Sequence, residues 1–135
     1  MITGVMETAL YVADVPRAIA FYRDVLGFEL MNTDERFAAF SVAGKQVLLL
    51  FKHGASNYHM TVPGGTIPPH DGSGHNHIGF AITAESLNDW AARLAQHHVA
   101  IESRVTWPRG GTSLYFRDLD DNLVELLTPG VWKIY

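Results

Sequence analysis

Three side chains far apart in the chain, Glu7, His77 and Glu125, have the types and settings that could do chemistry. His77 lies in a run where Ile78, Phe80 and Ile82 alternate with His77, Gly79 and Ala81. Strand side chains alternate with period two, so one face is apolar and the other carries an imidazole followed by two very small residues. An imidazole beside open space is what a ligand-binding cleft requires, although a half-exposed strand shows the same pattern. Glu125 sits within Val124-Glu125-Leu126-Leu127. A carboxylate in so apolar a strand is costly unless it is paired or bound to a cation. It faces water from an edge strand, pairs with Arg104 or Arg117, or belongs to a site. Glu7 opens a strand whose Leu10 and Val12 face the other way.

The elements that must position these groups repeat. Val5 to Val12 reads as a strand, and Asp14 is a plausible N-cap with Pro16 tolerated in the first helical turn. Val15, Ala18, Ile19, Tyr22, Val25 and Leu26 then recur at helical spacing up to a Gly27 stop. Phe28 to Thr33, Phe37 to Val42 and Gln46 to Lys52 follow as strands. The same order returns as a strand at 75–82, a helix from about Glu85 to Gln96, and strands at Val99 to Val105, Ser113 to Arg117 and Leu123 to Thr128. Residues 5–52 and 75–128 are therefore two βαβββ modules of an α+β domain spanning 1–135, with Glu7 and His77 at equivalent positions. The sequence predicts that their eight strands form one curved mixed sheet around a cleft, helices outside. Between the modules, 53–74 is rich in Gly, Pro, His, Asn and Ser, lacks periodicity, and reads as a linker or long functional loop.

Composition bounds the partners. The 135 residues are 47% hydrophobic and 18% charged, as expected of a soluble globular protein. A net charge of −4 and no basic run argue against nucleic acid. The absence of cysteine excludes disulfides, zinc ribbons and thiol nucleophiles. The longest apolar run, Val47 to Phe51, is too short for a bilayer, and the N-terminal residues lack signal-peptide character, so a cytoplasmic protein without membrane contact is expected. Phosphate-binding glycine loops, a Gly-x-Ser-x-Gly elbow and a His-Glu-x-x-His helix are all missing.

The chain resembles the vicinal oxygen chelate superfamily, which includes glyoxalase I, bleomycin-resistance proteins, fosfomycin-resistance transferases and extradiol dioxygenases. The resemblance is carried by Leu10-Tyr11-Val12-Ala13-Asp14 with Ala20-Phe21-Tyr22-Arg23-Asp24-Val25-Leu26-Gly27-Phe28. In the second module it is carried by His77-Ile78-Gly79-Phe80, Tyr115-Phe116-Arg117-Asp118 and Asn122-Leu123-Val124-Glu125-Leu126. It implies Glu7, His77 and Glu125 as ligands of a divalent ion such as Fe, Mn, Ni, Co or Zn. Glu125 is also the implied proton-transfer residue. Glu7 departs from the usual His or Gln, and Leu48 stands where glyoxalase I has a fourth ligand, which argues against a lactoylglutathione lyase.

The resemblance further implies a metal-dependent lyase, isomerase or dioxygenase that chelates a small substrate through adjacent oxygens, usually as a homodimer. The rival is a metal-free, bleomycin-resistance-like module that sequesters a small molecule. Trp107, Arg109 and Tyr115 are the expected substrate contacts, Arg109 for a carboxylate or phosphate. His75 competes with His77 as ligand because His-x-His is itself a metal-compatible spacing. His53, His59 and His70 lie in the long loop, and His97 and His98 end a helix, where they suit its dipole.

Overall fold

The computed structural model describes all residues from Met1 to Tyr135, in two compact units, Met1–Gly74 and His75–Tyr135. The first unit contains β1 (Glu7–Val12), α1 (Val15–Ala20), β2 (Glu29–Thr33), β3 (Phe37–Val42), β4 (Gln46–Lys52), and a hairpin of β5 (Met60–Val62) and β6 (Gly65–Ile67). The second contains β7 (His77–Ala81), α2 (Leu87–Gln96), β8 (Ser103–Thr106), β9 (Thr112–Arg117) and β10 (Leu123–Leu127). Each unit is the βαβββ module expected from the repeat. Hydrogen bonding runs within two four-stranded mixed sheets, ordered β1-β4-β3-β2 and β7-β10-β9-β8. The first and last strands of each module pair in parallel, Glu7 opposite Val47 and His77 opposite Leu123. No helix is long and apolar enough to cross a membrane.

In the first unit α1 begins where the Asp14 carboxylate accepts from the Arg17 N–H at 2.9 Å, with Pro16 in the first turn. The helix then widens into a π-helical segment, Phe21–Val25, before Gly27 ends it at φ 75°. Phe21, Tyr22, Val25 and Leu26 are all buried. Tyr22 has no exposed surface, and its ring lies 6.2 Å from that of Phe40 on β3. Burying each such side chain contributes about 1.5–3 kcal/mol, so this packing fastens the helix to the sheet. On α2 only Leu94 is fully buried; Trp90 and Ala91 are half-buried and Ala95 is exposed, a narrower apolar stripe than the spacing predicts.

The 53–74 segment is not a bare linker. It belongs to the first compact unit and carries the β5–β6 hairpin, whose three-residue strands are too short to show a period. His70 Nδ1 meets the Tyr11 hydroxyl at 2.9 Å, and the His70 N–H donates to the Ser56 carbonyl at 2.8 Å. Gly72 passes so close to Tyr11 that an added Cβ would lie 2.4 Å from the ring. The Asp71 carboxylate accepts from the Gly54 and Gly72 N–H groups, and these bonds hold its pKa below the ordinary value.

In the second unit a buried polar turn joins β9 to β10. Asn122 has no exposed surface; its Nδ2 donates to Asp118 Oδ2 at 2.9 Å and its Oδ1 accepts from the Asn76 N–H at 3.1 Å. Asp118 Oδ1 accepts from the N–H groups of Asn122 and Asp120. Asn122 therefore ties the residue before His77 to the residue before β10.

Two outcomes follow. Asn122→Ala leaves Asp118 and the Asn76 N–H short of partners, and should cost about 3 kcal/mol in denaturant unfolding. The Asp71 anchor should hold at every pH above the ordinary carboxylate value of about 3.9 and be lost as the pH falls through its depressed folded value. Faster amide exchange at Gly54 and Gly72 in that acid range, absent from the pH profile of Asp71→Ala, is the check.

Candidate metal centre

Register decides which side chains meet. Glu125 on β10 pairs with Gly79 on β7 and with Tyr115 on β9, so the three stand in a row across adjacent strands. His77, two residues before Gly79, projects from the same face. Its Nε2 lies 3.2 Å from Glu125 Oε2, with the imidazole half-exposed and the carboxylate 6% exposed. Gly79 makes the pairing possible: a Cβ there would already sit 3.1 Å from Leu127 Cδ2 and 3.5 Å from Glu125 Oε2. A larger residue would occupy the space the carboxylate uses.

The other imidazole nitrogen is committed. His77 Nδ1 is 3.1 Å from the Leu123 carbonyl, which can only accept, so Nδ1 carries the proton. In the neutral ring Nε2 then presents a lone pair to a carboxylate oxygen. Two lone pairs held that close require a proton or a cation at their meeting point. The spacing suits a metal. Ligand atoms about 2.0–2.2 Å from one ion, at tetrahedral or octahedral angles, lie about 2.8–3.6 Å apart. The Nδ1–H bond to a backbone carbonyl is also the support that metal-binding histidines use. Both side chains therefore fit as two ligands of one divalent ion.

Beside Glu125 stands a row of polar and aromatic side chains. The Trp107 indole N–H donates to Ser113 Oγ at 2.8 Å. Ser113 and Glu125 both lie near enough to the Tyr115 hydroxyl to shift its pKa. Ser113 is fully buried and lies two residues before Tyr115, on the same face of β9. Burial pushes the Tyr115 hydroxyl above the ordinary phenol pKa; the Ser113 bond opposes the rise and the Glu125 carboxylate adds to it.

The remaining expected residues divide. His75 stands outside β7, its Nε2 3.9 Å from Asp121, so His77 and not His75 contacts Glu125. Arg117 pairs with Glu102 at 3.1 Å, which removes it as the partner of Glu125. Trp107 bonds to Ser113 and Tyr115 stands in register with Glu125, whereas Arg109 is exposed on the Trp107–Gly111 turn and makes no ion pair. Glu7 is the exposed first residue of β1 and borders a cavity in the first unit. No three His, Asp or Glu side chains of the chain gather at one point.

Leu48 was the wrong position. It points into the core at 1% exposure, and the residue in register with Ala9, as Glu125 is with Gly79, is Leu49. The shift of one residue moves a strand position to the other face. Ser113 was missed altogether. Its only signal is a hydroxyl two places before Tyr115 in an otherwise apolar strand.

Because Tyr115 is held neutral, its ionisation should fall above the ordinary phenol range near pH 10. The sign is that of an acid stabilised in its protonated form: its contribution is complete below the unfolded value and disappears as the pH rises through the folded one. Ultraviolet titration should show a late-ionising tyrosine that is lost in Tyr115→Phe; Tyr135 is raised as well and remains in that variant.

Comparison with known proteins agrees with this architecture. Residues 4–126 match the Glyoxalase/Bleomycin resistance protein/Dioxygenase superfamily. The metallothiol transferase FosB of Staphylococcus epidermidis is 31% identical over 95% of this chain and 85% of its own length. The fosfomycin resistance protein FosX of Listeria monocytogenes is 27% identical over 93% of this chain and 90% of its own. Among solved structures, a lactoylglutathione lyase from Agrobacterium tumefaciens superposes with a TM-score of 0.87 at 33% identity, covering 98% of both chains. With its repeated modules and matched register, the chain belongs to the Glyoxalase/Bleomycin resistance protein/Dioxygenase superfamily.

Proposed function

We propose that the protein is a metal-dependent enzyme acting on a small oxygenated substrate chelated through adjacent oxygens. The observation that carries this reading is His77 Nε2 standing 3.2 Å from the buried Glu125 carboxylate, with Nδ1 committed to Leu123. Glu7, from the equivalent strand of the first module, is the third ligand in this reading. The names of two relatives, a metallothiol transferase and a lactoylglutathione lyase, support it. A divalent ion held by one imidazole and two carboxylates supplies a Lewis acid for negative charge developing on substrate oxygen.

The chain's own residues do the rest. Tyr115, in register with Glu125 across β9 and β10, stands beside the carboxylate that faces His77. The Trp107 indole holds the Ser113 hydroxyl on the same face of β9. Glu125 is the proton-transfer group, desolvated and held on the face that Gly79 leaves open. Arg109 is the cation available to an anionic substituent, because its guanidinium has no partner in the protein. Ile2, Val5 and Met6, left exposed near the start of the chain, support a homodimer as the working unit.

The test is metal content. Protein prepared without chelator should carry about one divalent ion per chain by mass spectrometry. His77→Ala, Glu125→Ala and Glu7→Ala should each weaken binding by more than the roughly 10–100-fold that losing a supporting hydrogen bond costs. Wild-type protein that stays metal-free when offered Mn, Fe, Co, Ni and Zn would sink the reading and leave the sequestering module in its place.

A further inference from the structure

The non-core face of the first module has a different chemistry. A cavity of about 540 Å³ lies there, within the range of small-molecule sites, and every residue lining it belongs to the first unit. Its floor is the sheet. Ala9 is in register with Leu49, and Tyr11 with Phe51, which also faces Phe37 across β3 and β4. The rings of Phe37 and Phe51 stack 6.0 Å apart, Tyr11 lies 6.0 Å from Phe51, and His70 stands edge-on to Phe51 at 4.5 Å.

The roof is built by the 53–74 segment. Met60 and Ile67, facing each other across β5 and β6, line the cavity with His70. This roof is tied down rather than draped. His70 bonds to Tyr11, Gly72 lies against the same ring, and His53 Nδ1 meets the Gly72 carbonyl at 3.0 Å. Polar groups are few. Arg36 is already paired with Asp34 at 3.0 Å, so Glu7, Thr8, Ser56 and the Nε2 edge of His70 remain for a ligand.

We propose that this cavity binds a planar aromatic group of a small-molecule ligand. Exposed ring faces and edges favour an aryl group over an aliphatic one of equal size, by roughly three- to tenfold in affinity. Ala9 supplies the gap into which the ring fits, being the small residue between the larger side chains of the floor. The inference deepens the enzymatic reading, on which it rests only in one respect: Glu7, at the cavity's border, is there a metal ligand. The substrate class becomes an aryl-bearing compound with adjacent oxygens. The site itself needs no metal.

The probe is 2-naphthol, with its saturated counterpart 2-decalol as the aliphatic control, titrated calorimetrically into the full chain before and after chelator treatment. We expect one saturable site per chain, naphthol bound several-fold tighter than decalol, and no change on metal removal. Ala9→Trp fills the floor and should weaken naphthol at least tenfold. Met60→Trp, on the hairpin and outside the main sheet, should do the same if the first variant fails to fold. His77→Ala should bind naphthol as the wild type does, whatever its metal content, which separates failure of this site from failure of the metal centre. Absence of saturable binding, equal affinity for naphthol and decalol, or affinity unchanged by a folded Ala9→Trp or Met60→Trp overturns the proposal.

Discussion

A carboxylate buried between Val124 and Leu126 dictates the arrangement of the second module. Taking a charged group out of water costs several kcal/mol unless its oxygens find compensating partners. The neighbours of Glu125 are placed to meet that need: a phenol in register on β9, an imidazole on β7 with which it can share a proton or a cation, and at Gly79 no side chain to crowd it. Each of these depends on register. Slipping β10 by one residue against β7 would turn the carboxylate into the core and Val124 out of it. The Asn122 turn, which ties Asn76 and Asp118 together at the start of β7 and β10, therefore defends the site as much as the fold.

The two modules use one frame for unlike chemistries. The register that sets Glu125 opposite Gly79 sets Leu49 opposite Ala9. Where the second module carries Ser113 and Tyr115 on β9, the first carries Phe37 and Ala39 on β3. A duplicated fold thus presents an apolar, ring-lined face in one copy and a hydrogen-bonded polar row in the other. The parallel pairing of first and last strands keeps corresponding positions on corresponding faces, and so substitutions at a few alternate residues convert one surface to the other.

The modular plan was legible because it rests on periodicity: the 3.6-residue repeat of Val15, Ala18, Ile19 and Tyr22, and the alternation of Ile78 and Phe80 with His77 and Gly79. The meeting of His77 with Glu125, 48 residues apart, was legible only through the family resemblance, since no local pattern joins the two positions. What stayed hidden needed knowledge of register or of long-range packing. Leu48 and Leu49 are chemically identical, so only the ladder says which one faces outward. The hairpin at 60–67 is too short for a period and contains Pro63-Gly64-Gly65, which reads as loop. Ser113 owes its role to a tryptophan six residues before it and a tyrosine two after, a combination with no sequence signature. The widening of α1 at Phe21–Val25, where Phe21, Tyr22 and Val25 are buried, likewise leaves the helical spacing of the sequence unmarked.

The donor set has its own consequence for a metal at this centre. Leu49 removes any acid from the first module's last strand, so the charge on the proposed site comes from Glu125 and from Glu7. An imidazole with two carboxylates is harder than a pair of imidazoles with one, and it neutralises a divalent ion in full. Such a set favours manganese, iron, cobalt, nickel or zinc over copper, and leaves positions for substrate oxygens or water.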